Sequence, residues 1–141
     1  MAMQKLDHIP QPTCIRTMLP GNIHVLTYTE VSRRAVDELA QHILDIYHEN
    51  QAELAKGETI LSFLIDSRVG SQPIKYTLSR MRQTVGRIEG DHGTQIAIIL
   101  SDNLMMNMLR TLSNQVMRRS DVLHIFGADE YESAIAWLRP D

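Results

Sequence analysis

Four polar side chains follow an apolar run near the middle of the chain. The run TILSFLI, residues 59–65, leads into Asp66, Ser67 and Arg68, and Ser71 comes three residues later. Asp66 and Ser71 are able to bind a polar ligand, and Arg68 is able to meet an anion. A phosphate added to Ser71 would lie beside free helix amides, where its charge would reorder the loop. Helix capping and turn formation explain the same residue types without any ligand.

The sequence contains no motif that assigns a reaction or a cofactor. It has no Walker-type phosphate loop, no G-x-G-x-x-G after a strand and no G-x-S-x-G nucleophile turn. His42 and His48 lack the i, i+4 spacing of metal ligands on one helix face, and the lone Cys14 supplies neither a disulfide nor a zinc site. We therefore expect no metal, no cofactor and no catalysis. A hydrolase or transferase would need a base that converges on a loop serine such as Ser101.

The composition is that of a soluble globular domain. The chain has 141 residues, 43% hydrophobic and 22% charged, which suits one domain with its own core. The formal net charge of -3 argues against nonspecific nucleic-acid binding, because such binding rests on a basic excess. No run approaches the apolar length of a membrane span. Residues 1–13 lack the apolar segment of a secretory signal, so we expect a flexible lead-in, a domain at 14–141 and a cytoplasmic location.

Alternating and apolar stretches predict five strands. Residues 14–19 and 22–28 flank Pro20 and Gly21, and they indicate a hairpin whose connection is longer than a tight two-residue turn. The other stretches are short, apolar and rich in strand formers, which is typical of buried parallel strands. They cover residues 59–67, 94–101 and 122–126.

Helical spacing of apolar residues predicts one helix after the hairpin and one after each later strand. The first helix is expected to start near Thr29 or Glu30. The second is expected to have Pro73 at its first position, where the missing N–H of proline costs nothing. The four predicted helices cover approximately residues 31–50, 73–88, 104–116 and 129–138.

The order of these elements predicts the fold class. Strands that alternate with single helices require crossover connections, which are right-handed in nearly all parallel sheets. The order ββαβαβαβα therefore predicts an α/β fold with a single open mixed sheet, in which an N-terminal hairpin precedes alternating helices and parallel strands. Ligand and switch groups of such sheets gather beyond the carboxyl ends of the strands. Besides residues 66–71, this edge collects Glu30, Ser101, Asp102, Asn103 and Asp129.

Leucine and methionine side chains on two predicted helices form a second candidate site. Flexible thioethers suit an adaptable apolar surface for a protein partner or a lipid-like ligand, although methionines at helical spacing are also common in cores. Met106 falls outside the apolar stripe of its helix, so its exposure would favour a contact surface. A ligand pocket between the two helices would be lined by Leu78, Met81, Met105 and Leu109.

With this order of elements, residues 14–138 resemble STAS domains, the anti-sigma-factor-antagonist fold, and especially the divergent bacterial branch related to CRAL-TRIO domains. The hairpin before the long helix carries the resemblance, together with LSFLIDSRVGSQPI and VLHIFGADEYESAIAWL. The resemblance implies a noncatalytic module that acts by protein contact or by sensing a small ligand. In the antagonist branch, a serine within Asp-Ser-Ser-Gly or Asp-Ser-Thr-Gly is phosphorylated to switch partner binding. Here Asp66 and Ser67 are followed by Arg68, and Ser71 is the loop serine nearest to that position.

These observations predict a regulatory or protein-interaction module of STAS type, switched at the loop that carries Asp66, Ser67, Arg68 and Ser71. The alternative is a carrier or sensor for a small apolar or anionic ligand. We expect a protein partner or a small ligand, no nucleic acid and no membrane span. A hairpin edge strand and exposed methionines favour a homodimer.

Overall fold

The computed structural model describes residues 11–57, 60–87, 93–102, 106, 107, 111 and 123–139, except for the side chains of residues 85 and 86. The strands are β1 (Cys14–Leu19), β2 (Ile23–Tyr28), β3 (Leu61–Ser67), β4 (Thr94–Leu100) and β5 (Leu123–Gly127). The helices of this part of the chain are α1 (Arg33–Glu49), α2 (Gln51–Ala55), α3 (Ile74–Arg87) and α4 (Tyr131–Leu138). A 3-10 turn, Ala128–Glu130, precedes α4.

The five strands form one sheet in the order β1-β2-β3-β4-β5. β1 and β2 are antiparallel, whereas β2 to β5 are parallel to one another. The register places Asp66 of β3 between Thr27 of β2 and Ile99 of β4. The predicted mixed sheet with an N-terminal hairpin is therefore confirmed, and each strand lies beside its neighbour in sequence.

The main core lies between the sheet and the helices α1 and α3. Leu39 and Ile43 of α1 are spaced so that both face the sheet. They pack with Phe63 and Ile65 of β3, and Met81 of α3 is partly buried against the same cluster. Side chains of a strand alternate between its two faces, so every second residue of β3 belongs to this core.

The opposite face of the sheet is covered by α4. This second core consists of Ile23, Val25, Leu64, Ala97, Ile99, Phe126, Ala134 and Leu138, with Ile135 and Trp137 partly buried against it. Ala134, Ile135, Trp137 and Leu138 therefore form the sheet-facing side of α4. Because the side chains of β3 alternate, Asp66 lies on the same face as Leu64, and it approaches the start of α4 at the carboxyl edge.

The start of α1 differs from the prediction. Ser32 is the N-cap, because its Oγ accepts a hydrogen bond from the Ala35 N–H at 3.1 Å. The prediction of Thr29 or Glu30 was wrong by two or three residues. Thr29 instead prolongs the hairpin, since its N–H donates to the carbonyl of Thr13 at 3.0 Å.

Other boundaries agree with the predictions to within a few residues. The hairpin connection comprises residues 20–22 and is longer than a two-residue turn, with Gly21 at a φ of 90°. Helix α3 begins at Ile74, one residue after Pro73. Most of the helix predicted at 104–116 lies outside the described residues. None of the helices in the described ranges combines the length and apolar character of a membrane-crossing segment.

Candidate functional site

The polar loop residues converge at one edge of the sheet. The parallel strands β2 to β5 all end there, and the register pairs Ser67 with Leu100 and Leu100 with Gly127. The loops that leave these strands therefore begin side by side. The edge contains Glu30, Asp66, Ser67, Arg68, Ser71, Ser101, Asp102 and Asp129, while Asn103 lies outside the described residues.

Asp66 and Arg68 form the charged centre of this edge. Asp66 Oδ1 accepts hydrogen bonds from the Arg68 backbone N–H at 3.1 Å and from Arg68 Nε at 2.9 Å, and Oδ2 accepts one from Nη2 at 2.7 Å. The Asp66 side chain is 8% exposed and the Arg68 side chain is 44% exposed. The pKa of Arg68 is raised, first of all by its hydrogen bond to Asp66. The paired hydrogen bonds therefore hold a permanent cation in one orientation at the surface.

Tyr131, the first residue of α4, forms the other side of the Arg68 environment. The guanidinium carbon of Arg68 lies 4.8 Å from the centroid of the Tyr131 ring, within the range of a cation–π contact. Arg68 thus connects the end of β3 with the start of α4. Tyr131 was not predicted as a site residue, because no spacing pattern relates residue 131 to residue 68.

Ser67 and Gly70 close the turn that follows β3. The Ser67 hydroxyl donates to the Gly70 carbonyl at 3.0 Å, and the Gly70 N–H donates to the Ser67 carbonyl at 3.3 Å. Gly70 has a φ of 155°, and a Cβ built on it would lie 2.7 Å from Val31 Cγ2. The turn is therefore packed directly against the loop between β2 and α1. Ser71, the next residue, is half-buried.

Gln72 links the same two loops through its side-chain amide. Its Nε2 donates to the Glu30 carbonyl at 2.8 Å, and its Oε1 accepts from the Ser32 N–H at 3.0 Å. Gln72 is buried, so these bonds satisfy both ends of an amide that water does not reach. This role was not predicted, since a single glutamine before a proline carries no pattern that indicates a bridge between loops.

Within the described residues, the loops after β4 and β5 make fewer contacts with the turn after β3 than the loop between β2 and α1 does. The Ser101 hydroxyl donates to the Arg68 carbonyl at 3.3 Å, which joins the second and third parallel strands at the edge. Asp102 is exposed, and its carbonyl accepts the Met106 N–H at 2.9 Å, as at the start of a helix. Asp129 is exposed on the 3-10 turn before α4. Both acidic residues therefore lie exposed at the carboxyl edge.

Two exposed valines accompany the charged centre. Val31 lies in the loop before α1 and is 48% exposed, and Val69 follows Arg68 and is 49% exposed. Both belong to loops that Gly70 and Gln72 hold together. Their exposure was not predicted, because isolated valines in loops have no helical or strand spacing that indicates it.

The structure supports the apolar candidate site less well than the polar carboxyl edge. Leu78 and Met81 are half-buried on α3, and Met81 packs against the main core. Met106 is buried among residues at the ends of β4 and β5, so the exposure that would favour a contact surface is not observed. Met105 and Leu109 lie outside the described residues.

Ser67, Ser101 and Cys14 are not placed to act as nucleophiles. The hydroxyls of both serines donate to backbone carbonyls, which do not serve as general bases. Burial raises the pKa of Cys14 to about 12, so its thiol stays protonated at neutral pH. In the described ranges, no group of three or more His, Cys, Asp or Glu side chains is arranged to hold a metal ion.

Comparison of the chain with protein-family models, with curated proteins and with solved structures finds no match. The functional evidence on this chain therefore lies in the carboxyl edge of its own sheet. That edge combines a fixed cation, two exposed valines and a turn held by buried hydrogen bonds.

Proposed function

We propose that this chain is a noncatalytic regulatory or protein-interaction module of STAS type, which contacts its partner through the carboxyl edge of the sheet. The exposed Arg68 and Val69 on an immobilised loop are the observation that carries the proposal. Asp66 and Tyr131 hold Arg68, and Gln72 holds the turn that follows. Because the loop is already held in place, binding a partner costs little loop entropy. Even a small contact surface therefore contributes to affinity.

The same loop is suited to regulation by charge. A phosphate on the half-buried Ser71 adds about two negative charges and competes with Asp66 for Arg68. Arg68 would then leave the Tyr131 ring, and the surface offered to the partner would change. Phosphorylation is therefore expected to weaken a complex that needs Arg68 in its present orientation.

We propose a cytoplasmic location for the module. We also propose that it forms a homodimer. Ile15 and Met18 of β1 are exposed, and β1 is an outer strand of the sheet. An outer strand with exposed apolar side chains supports pairing of two copies across a two-fold axis. Native mass spectrometry of the purified chain distinguishes the dimer from a monomer.

Site-specific photo-cross-linking tests the proposed contact surface. A photoreactive amino acid replaces Val69, and a matched one replaces Ile60, which is 53% exposed just before β3 at the opposite end of the sheet. After irradiation of cells that naturally express the chain, we expect a discrete protein adduct from position 69 and none from position 60. Ser71→Glu is expected to weaken the adduct, because its charge competes for Arg68.

Arg68→Ala provides the second arm of this experiment. Arg68→Ala leaves the Asp66 carboxylate without its charged partner, so circular dichroism has to establish that the variant is folded. The adduct at position 69 is expected to disappear. Identical adducts from positions 69 and 60, or an adduct that persists in Arg68→Ala, would contradict the proposed surface. An adduct that is insensitive to Ser71→Glu alone would remove the switch and leave the contact surface in place.

A further inference from the structure

The geometry points to a partner segment that carries an aliphatic side chain flanked by carboxylates, bound at the valine patch formed by Val31 and Val69. This inference rests on the proposed function and adds the chemistry of the partner. The two valines are each about half exposed. They lie close together, because Gly70 directly follows Val69 and packs against Val31 Cγ2. Exposed aliphatic side chains on two mutually fixed loops form a surface that a partner can bury without rearrangement.

Two cations, Arg33 and Lys75, lie at the starts of the two helices that follow the loops of the valine patch. In the described part of the chain Arg33 forms no ion pair with a carboxylate, and its guanidinium carbon instead lies 5.1 Å from the centroid of the Tyr76 ring. Lys75, the residue before Tyr76, is exposed. The contact between Arg33 and Tyr76 brings together the starts of α1 and α3, which follow the two loops of the patch. Asp37, which accepts a hydrogen bond from the Tyr76 hydroxyl, is paired with Arg80 at 3.0 Å. Glu30 offsets one of the two remaining cations, so a local positive excess is left.

The first turns of α1 and α3 add to this potential. Helix N-termini carry partial positive charge and favour acidic residues, yet neither first turn contains one. The first turn of α1 instead holds Arg33 and Arg34, and that of α3 holds Lys75. Arg34 forms an ion pair with Glu38 at 3.4 Å. Arg33 and Lys75 therefore remain to bind carboxylates of a partner. A chain with a net charge of -3 thus carries local positive charge at the starts of these two helices.

The partner has to satisfy both parts of this surface. An aliphatic side chain would cover the exposed valines and remove their apolar area from water. Carboxylates beside it would pair with Arg33 and Lys75, which sets the register and speeds association. A neutral apolar segment would instead desolvate two cations without pairing them. The patch is only two valines wide, which fits one side chain of a protein segment better than the broad plane of an anionic membrane.

Selection of binders from a random peptide library tests this partner chemistry. The purified full chain is the target, and the affinities of recovered peptides are measured by fluorescence polarisation. We expect peptides with aspartate or glutamate beside leucine, isoleucine or valine. Val69→Ser and Arg33→Glu are each expected to weaken binding at least about tenfold, as for central interface residues. The matched changes Ile60→Ser and Lys56→Glu, at the opposite end of β3, should alter the affinity less than about twofold.

The remaining outcomes separate this inference from the proposed function. Peptides without acidic residues that still depend on Val69 overturn the acidic partner and leave the contact surface intact. Peptides that depend on Ile60 and not on Val69 overturn both, and so does the recovery of no binder. Phosphatidylglycerol vesicles serve as a further probe. Vesicle binding that Val69→Ser abolishes would identify an anionic lipid surface as the occupant and overturn the protein segment.

Discussion

At the scale of single residues, Gly70 sets how closely two loops of the carboxyl edge approach each other. Its φ of 155° lies in a region that other residues enter only with strain. Its missing side chain also leaves room for Val31, because a Cβ would come within 2.7 Å of Val31 Cγ2. Backbone conformation and packing both require glycine here, and the exposed surface next to it depends on that contact.

Gly70→Ala is expected to lower the free energy of unfolding by about 2–4 kcal/mol, since backbone strain adds to overpacking. Gly57→Ala is the matched control, because Gly57 has a φ of 76° and no atom of the described residues within 4 Å of a built Cβ. That change should cost only the strain of about 1–2 kcal/mol. Urea unfolding measures both variants. Adding Val31→Ala to Gly70→Ala should recover part of the loss. Equal losses at the two glycines, or no recovery, would contradict the role of the contact.

The residue types predicted that the carboxyl edge is polar, but they predicted fewer of the contacts between its side chains. Asp66 and Arg68 stood out because a polar cluster ends an apolar run, and the structure joins them. Tyr131 and Gln72 remained hidden, although one stacks on Arg68 and the other bridges two loops. Periodicity reports which face of an element is buried, and it does not report which side chains meet between elements.

At the scale of elements, α1 protects the start of the edge strand β1. Glu38 Oε2 accepts hydrogen bonds from the N–H groups of Thr13 and Cys14 at 2.9 and 3.1 Å. His42 Nε2 donates to the Cys14 carbonyl at 2.9 Å, and it has to carry the hydrogen because a carbonyl only accepts. Open backbone groups on an edge strand invite pairing with another chain. Here Glu38 and His42 already bind the backbone groups at the start of β1. Pairing of β1 with another chain is therefore directed to its other end, at Met18.

Glu38→Gln is expected to lower the free energy of unfolding at neutral pH by about 1 kcal/mol, because an amide is a weaker acceptor than a carboxylate. Burial acts to raise the pKa of Glu38, but hydrogen bonds from Thr13 and Cys14 and the charge of Arg34 outweigh it, so the pKa is lowered. The stabilisation is therefore complete above the unfolded value of about 4.3 and is lost as the pH falls through the folded value. Urea unfolding across this range should show the two curves converging in acid.

The exposed Glu53 supplies the control for Glu38. It pairs with Lys56 at 3.4 Å on the surface, and Glu53→Gln should change the free energy of unfolding by less than about 0.5 kcal/mol. A difference between wild type and Glu38→Gln that stays constant down to acid pH would show that the carboxylate charge does not hold β1.

Elements were predicted best where apolar spacing extends over several turns. The helix α1 has such a stripe, so its existence and buried face were predictable, whereas its start depends on one hydrogen bond from Ser32. Met106 shows what the apolar spacing of a single helix does not predict. It lies outside the stripe of its own helix, yet the ends of β4 and β5 bury it, and a single-helix pattern contains no information about those strands.

At the scale of the whole molecule, the strand order follows the order of the chain. Alternation of strands and helices predicted a parallel sheet, but several strand orders satisfy right-handed crossovers equally well. In the observed order, α1 and α3 pack on one face, and α4 covers the other. The final architecture therefore depends on the packing of both faces together, which no single segment encodes.

The face covered by α1 also buries a titratable group, His24 of β2. His24 is 4% exposed, and its ring centroid lies 5.8 Å from that of Phe63. Its Nδ1 is buried and has no hydrogen-bond partner among the described residues. Burial lowers the pKa of His24, and the charge of Arg16 lowers it further, whereas Glu49 raises it in part. The folded molecule therefore favours the neutral ring.

Acid is expected to destabilise the whole molecule through His24. The unfolded chain binds a proton near pH 6.5, whereas the folded chain binds it only at lower pH, so the free energy of unfolding falls below about pH 6.5. The slope reaches at most about 1.4 kcal/mol per pH unit. Urea unfolding between about pH 5 and pH 7 measures it. His24→Leu should flatten this slope, whereas His48→Leu, which changes an exposed histidine of α1, should retain it. An unaltered slope in His24→Leu would mean that the buried ring does not couple folding to protonation.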